Sequence, residues 1–285
     1  MEPCPYRSRP LRAATLAAAA LLAAATPALA LDLNGFLPGR GSGSLAFSVT
    51  AEGYDEFFVG ETKVSDPGVG EVDIQSLSVW LQWGITDDFA IVANVPYVDA
   101  DSDGLGGFAE SGLQDLEVLG KYRFALIDSG STRHSFLGAL GVRTPLTDYE
   151  ANLPVDIGDG TTDALGRLVY QLENGPFYFS QQVGLDLRGD DAPDGYPLYT
   201  ELGWSGGRVT VSGFYSNYIA DSEGTDIGDP GFTFPSNQEE FQRGGAKIYA
   251  RVGDNLGFSL VGFTTFDGRN TGDLSGFSAG INFDF

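Results

Sequence analysis

The sequence predicts an all-β chain, a transmembrane, antiparallel, up-and-down β-barrel of about twelve strands. Three observations carry this. The last nine residues, Phe277 to Phe285, alternate apolar or small side chains with polar ones and glycine, and stop on an aromatic. Because side chains alternate across a strand, that pattern gives one apolar face and one polar face. The same period recurs along the whole chain. The connections between the alternating segments are short and long in turn, as expected of turns on one side of a membrane and loops on the other.

At the amino terminus Arg7, Arg9 and Arg12 precede an apolar run from Ala13 to Ala25, followed by Thr26-Pro27-Ala28-Leu29-Ala30. A basic region, a short hydrophobic core and an Ala-x-Ala site read as a secretory signal peptide over residues 1–30, leaving 31–285 as the barrel. The run is too short and alanine-rich to span a bilayer. Cys4 leaves with the signal, so the mature chain needs no disulfide. Those 255 residues, 285 less the first 30, hold no apolar stretch long enough for a membrane helix. They carry 13 basic and 38 acidic residues, a formal charge of −25. Such a surface repels nucleic acid and attracts cations.

Alternation runs near 44–54, 72–84, 88–98, 112–125, 134–145, 162–173, 176–188, 197–205, 208–219, 240–252, 255–267 and 275–285. Most segments reach the roughly 9–11 residues of a tilted spanning strand. Short connections lie at 84–88, 128–133, 173–176, 205–207 and 253–255, and long ones near 55–71, 98–111, 146–161, 189–196, 220–239 and 267–274. An even strand count puts both termini on the short-turn, periplasmic side. Trp80, Trp83 and Trp204 fall near strand ends on that side, as an interfacial aromatic belt requires.

The register decides which face is wet. Leu116, Val118, Gly120, Tyr122 and Phe124 alternate with Asp115, Glu117, Leu119, Lys121 and Arg123. Lysine or arginine facing lipid costs roughly 2–4 kcal/mol at mid-membrane, so the charged set is expected to point into the lumen. The same parity places Arg143, Arg167, Arg188, Arg208, Arg243, Lys247 and Arg251 inside, interleaved with Asp163, Asp186 and Glu201. This ladder has two readings: an ion-pair network that fills a small barrel, or the wall of a water-filled passage.

Several segments carry a family pattern. Gly112-Leu113-Gln114-Asp115, running into a strand that ends at Phe124, has a Gly-x-x-Asp start; Gly141-Val142-Arg143-Thr144-Pro145 closes a strand before the third long loop. Gly158-Asp159-Gly160-Thr161-Thr162-Asp163 opens the next strand, and Asp267-Gly268-Arg269-Asn270 precedes the last. Together they resemble the phenol-degradation meta-pathway (MetA-pathway) family of outer-membrane transporters, over most of the mature chain. The resemblance implies an outer-membrane barrel passing small hydrophobic or aromatic compounds, with no catalytic residues. A related group of fatty-acid transporters holds a longer amino-terminal plug inside its barrel. Leu31 to Gly43 is all that precedes the first strand here, too short for such a hatch.

One motif suggests an ion. Asp99-Ala100-Asp101-Ser102-Asp103-Gly104, with Glu110 at the twelfth position, matches Asp-x-Asp-x-Asp-Gly-x5-Glu, the pattern of a calcium loop with hard oxygen ligands at Asp99, Asp101, Asp103 and Glu110. Gly106 stands where an apolar residue is usual, and the alternative is a solvated acidic loop. The further acids Asp190, Asp191, Asp194, Asp221, Glu223, Asp226 and Asp229 suit a cation-rich habitat or divalent bridging to lipopolysaccharide. His134, the one histidine, sits beside Arg133 at the short-turn end. A barrel hydrolase needs a histidine near the outer rim with a nucleophile beside it, so no enzyme is expected.

The expectation is therefore a barrel for passive or facilitated passage of a small solute. The alternative is a non-conducting surface barrel with a charge-filled lumen and cation-binding loops. Its partners are outer-membrane lipid, lipopolysaccharide, the barrel-assembly machinery through Phe285 as assembly signal, and the solute; no cofactor beyond loop calcium is expected, and no nucleic acid.

Overall fold

A computed structural model describes residues 32–285, apart from 66, 67, 69, 105, 106, 154 and 191. The expected signal peptide, Cys4, Gly106 and Asp191 lie outside the described residues. Alternating side chains form β1 (Gly43–Tyr54), β4 (Val72–Gly84), β5 (Phe89–Ser102), β7 (Asp115–Ser129), β8 (Thr132–Pro145) and β9 (Asp163–Asn174). They continue in β10 (Phe177–Leu187), β11 (Gly195–Gly206), β12 (Val209–Ala220), β13 (Glu240–Arg251), β14 (Leu256–Arg269) and β15 (Ser275–Asp284). β6 (Ala109–Leu113) extends β7 across a break at Gln114, and β2 (Glu56–Val59) with β3 (Thr62–Ser65) forms a hairpin in the first long loop.

Each barrel strand pairs antiparallel with its neighbour in sequence, and β1 pairs with β15 from Ser44↔Asp284 to Gly53↔Ser275. With β6 and β7 as one stave, this is the expected closed barrel of twelve strands. Closure pairs the edge groups that a membrane leaves without water. The main boundary difference is β5, which runs to Ser102 and pairs with β6 from Ala109, so part of the expected loop at 98–111 is strand.

The outer face is apolar. Leu140, Leu168 and Leu202 are 77 %, 60 % and 64 % exposed. Their neighbours one residue along, Ala139, Arg167 and Glu201, are buried within the barrel. A water-soluble barrel would reverse this. At the short-turn end, His134, Phe136, Tyr170 and Phe179 form an outward aromatic group in which His134 Nδ1 lies 3.0 Å from the Tyr170 hydroxyl. Trp83 and Trp204 are also outward. Trp80 is not. Three residues from Trp83, it has the opposite parity and packs inside against a buried apolar cluster, so it leaves the expected belt.

The hairpin between β11 and β12 turns on Gly207, at φ +62°, and Arg208. A two-residue turn needs positive φ at its first position, which glycine supplies without strain. This places Arg208 in the exposed turn, outside the lumen where parity alone had put it.

At the other end the loops are tied together. Asn270 accepts hydrogen bonds from the amides of Gly60 (2.8 Å) and Ile227 (3.3 Å), and donates to Asp226 (2.7 Å) and to the Gln238 carbonyl (3.2 Å). Arg269 grips Asp226 in a bidentate pair at 2.8 and 2.6 Å. Asp226 thus serves a loop-to-loop clasp, and this pair holds its carboxyl below the usual range.

Candidate functional site

The lumen is narrowed from both ends by segments the strand pattern does not reveal. From the short-turn end, residues 32–42 thread inward before β1. The Leu33 amide donates to Gln182 Oε1 (2.7 Å) and the Gly35 amide to Gln171 Oε1 (2.6 Å). Lys121, almost fully buried, donates its ammonium to the carbonyls of Asn34 (3.1 Å) and Phe36 (2.8 Å). Leu33 packs on Val92, Leu119, Leu137, Leu165 and Val169, an apolar patch on the inner wall. Phe36 meets Tyr178 edge-on at 4.9 Å. The stretch, expected to be too short for a hatch, nevertheless enters the barrel. At about 3.3 Å per extended residue, even a short segment reaches the mid-lumen.

Asp32 leads this segment. Its carboxylate accepts from Ser216 at 3.4 Å, and burial pushes its pKa up to about 7 against the pull of Lys247 and Arg167.

From the loop end, Tyr149, Val155 and Ile157, in the connection between β8 and β9, turn inward. Val155 and Ile157 are buried against Val72, Val98 and Ala100. The Tyr149 hydroxyl donates to Asp115 at 2.5 Å and accepts from the Gly160 amide at 3.1 Å. Burial and the charges of Asp159 and Glu239 raise Asp156 well above the usual carboxylate range.

The expected charge ladder is present, and most of it is paired. Arg143 reaches Glu117 (2.9 Å), Asp163 (3.1 Å) and Asp186 (3.6 Å). Arg167 pairs with Asp186, and Arg188 with Asp159, with Asp163 at 3.9 Å. These residues form one ionic wall on β7, β8, β9 and β10, with Asp159 and Arg188 just beyond the strand ends. Nearer the short-turn end, Glu201 accepts from Tyr178 (2.6 Å) and Tyr199 (2.7 Å), while Lys247 donates to Tyr199 (2.5 Å) and lies over the Tyr199 and Phe214 rings. Arg243 donates to Thr265 (3.0 Å) and stacks on Phe241. Arg123 and Arg251 sit at the short-turn rim, on Asp88 (2.6 Å) and Asp284 (3.7 Å).

The calcium-loop residues do not converge. Asp99 and Asp101 lie on β5 and point outward, between the inward Val98, Ala100 and Ser102. Glu110 pairs across with Ala100, so it faces the opposite side of the sheet, and its carboxylate accepts from the Glu150 amide at 2.7 Å. Asp103 accepts from the Glu71 amide at 2.9 Å. The motif needs a tight loop, and here its first half is extended strand, which separates alternate side chains.

Between these walls lie two cavities. The one at the short-turn end measures about 730 Å³ and is bounded by Leu33, Phe36, Trp80, Tyr178, Phe214, Lys247 and Tyr249. The one at the loop end measures about 280 Å³ and is bounded by Glu52, Asp115, Arg143, Asp156, Arg188 and Arg243. Asn94 lines both. The inner segment and the inward loop were missed in the sequence. Their signal was apolar residues outside any strand: Leu33, Phe36 and Leu37 before β1, and Val155 and Ile157 within an otherwise polar loop.

The family described as "Putative MetA-pathway of phenol degradation" matches residues 59–281. A comparison with curated protein sequences finds no match. Among solved structures, the chain is similar to an outer membrane channel from Pseudomonas putida, with a TM-score of 0.70 at 11 % identity, covering 90 % of this chain and 100 % of that one. It is also similar to the KdgM porin (TM-score 0.49, 9 % identity, 84 % and 99 % covered). A third is the β domain of the Bordetella autotransporter BrkA (TM-score 0.48, 14 % identity, 86 % and 100 % covered). The first of these shows a shared barrel fold.

Proposed function

Because the chain belongs to the phenol-degradation MetA-pathway family, we propose that it is an outer-membrane channel for small solutes, hydrophobic or aromatic ones among them. The observation that carries this is the pair of cavities, both lined by Asn94, inside a closed barrel with an apolar exterior. The wider cavity joins aromatic walls to a few charged groups, the mix that suits a small amphipathic molecule. The short turns face the periplasm and the tied loops the outside. Residues 1–30 are removed during export, and outer-membrane lipid, lipopolysaccharide and the assembly machinery are the partners this location requires. The outward carboxylates of Asp99 and Asp101 suit cation-bridged lipopolysaccharide.

A second reading, a non-conducting barrel, is favoured by the docked segment and by the ionic wall. Conductance of refolded mature protein in planar bilayers separates the two. Discrete openings support the channel. No current and no uptake of small solutes into vesicles supports the filled barrel.

A further inference from the structure

The loop-end cavity holds two opposite charges that attract each other without touching. Arg243, on the lumen face of β13, is 6 % exposed and borders this cavity. Its Nε donates to Thr265 (3.0 Å), and its guanidinium plane lies over Phe241, 4.5 Å from the ring centre. Stacking occupies the flat face of the group and leaves its edge for hydrogen bonds in the plane. Nη1 and Nη2, on that edge, have no partner among the described residues, and they are open to the cavity rather than sealed in the wall.

Glu52, on the lumen face of β1, borders the same cavity, and its carboxylate has no hydrogen bond or ion pair among the described residues. The charge that attracts it is that of Arg243, and Glu52 is the carboxylate that Arg243 feels most strongly. The strand ladder runs from Glu52 to Gly276, then to Phe263 and to Gly245, two residues from Arg243 on the same face. Three strand spacings of about 4.8 Å therefore separate acid from base along the wall. Two of the positions between them, Gly276 and Gly245, carry no side chain to fill the gap.

The neighbouring charges are engaged. Arg143 is held by Glu117 at 2.9 Å, Arg188 by Asp159, and Asp115 accepts from Tyr149. Ile74, Val98, Ile157 and Leu274 give the cavity an apolar side. A plain cation would leave the Arg243 edge empty, and a plain anion would leave Glu52 empty. We propose that the loop-end cavity binds a small apolar α-amino acid, with Arg243 gripping its carboxylate in two parallel hydrogen bonds and Glu52 taking its ammonium group. This rests on the channel reading for the route by which the amino acid arrives. A cavity of about 280 Å³ is smaller than a drug-sized site and suits a molecule of this size.

The test is calorimetric titration of the refolded full-length mature barrel with three probes. These are L-valine, isobutylamine, which is valine without its carboxylate, and isovalerate, which is valine without its ammonium group. Valine is expected to bind about tenfold more tightly than either, the factor for one charged hydrogen-bonded contact. Arg243→Met should weaken valine by a similar factor and should not weaken isobutylamine. Glu52→Gln should weaken both. A merely structural loss would not sort the probes in this way. Heat-modifiability on gels verifies that each variant folds, and Glu52→Gln, which keeps size and shape, carries the test if Arg243→Met does not fold. Equal binding of valine and isobutylamine by the parent, or variants that bind valine as the parent does, overturns the site. Absence of binding by all three probes overturns it too, and leaves the channel standing if the same preparation conducts in planar bilayers. Valine binding without any current keeps the site and overturns the channel.

Discussion

The ammonium of Lys121 ends on the carbonyl oxygen of Phe36, 2.8 Å away, and not on a carboxylate. Its other acceptor is the carbonyl of Asn34. A buried charge is tolerated only when hydrogen-bonded, so Lys121 and the segment before β1 hold each other in place. Removing either side should loosen the segment and widen the wider cavity.

Lys121→Met is therefore expected to shift the segment toward its undocked form by about tenfold, the scale of a lost charged hydrogen bond. Gly35→Val should act from the other side, because a Cβ at Gly35 would lie 2.4 Å from the Cβ of Gln171. Both substitutions leave the strand ladder intact. Single-channel recordings should show more frequent or larger openings in each. Unchanged currents in both, with the parent conducting, would mean that the segment does not limit passage.

Acid should tighten this docking. Burial pushes the pKa of Asp32 up to about 7 when docked, from an ordinary value of 3.8. A carboxyl whose pKa is raised in the docked state favours docking when protonated. Docking is then strongest below about pH 4 and weakens as pH rises toward 7, above which the loss is complete. Conductance is expected to climb across that window in the parent. In Asp32→Asn, which has no proton to lose, the climb should flatten. A parent current independent of pH between 4 and 7.5 would remove Asp32 as the cause.

The ionic wall makes a separate prediction about stability. Arg167 is fully buried with Asp186, and Arg143 serves three carboxylates. Arg143→Met leaves Glu117 and Asp163 without that partner, and breaking a buried pair costs about 3–5 kcal/mol. The temperature at which the folded band is lost on gels should fall clearly. Arg251→Glu, at the half-exposed rim, should leave that temperature nearly unchanged. Equal effects from the two would argue that the wall is solvated and not packed.

The sequence made the strands legible because a barrel wall has period two and one face in lipid. Parity alone put Glu117, Lys121, Arg143, Arg167, Asp186 and Glu201 inside, where they are. Parity fails at the ends of strands. It misplaced Arg208, which belongs to a turn, and it could not separate Trp80 from Trp83 until the face of each was counted. It also says nothing about what enters the lumen. Leu33 and Ile157 pack on inner walls made by distant strands, contacts that no local period encodes. The calcium motif failed for a related reason: Asp99 and Asp101 obey the pleat of β5, while Glu110, on β6 opposite Ala100, faces the other side of the sheet.

The last prediction concerns closure. Phe285 and Gly43 exchange two backbone hydrogen bonds, each 2.9 Å, at the seam where the last strand meets the first. The Phe285 ring lies over Gly43, where a Cβ would come within 2.6 Å of both the ring and the carbonyl of Gln82. The terminal aromatic is thus seated by a glycine on the partner strand. Deleting Phe285 removes both hydrogen bonds and the ring, at an edge whose unpaired groups cost several kcal/mol each in lipid. The outer-membrane yield of heat-modifiable protein should drop sharply, with chain accumulating in the periplasm. Gly43→Leu keeps Phe285 but displaces its ring, and should lower the yield in the same direction. Phe283, on the same face two residues earlier and packed on Phe47 at 6.3 Å, is the group that would sustain a partial yield. If both variants assemble as the parent does, the terminal aromatic is incidental to assembly and the seam is held by the backbone ladder of β1 and β15 alone.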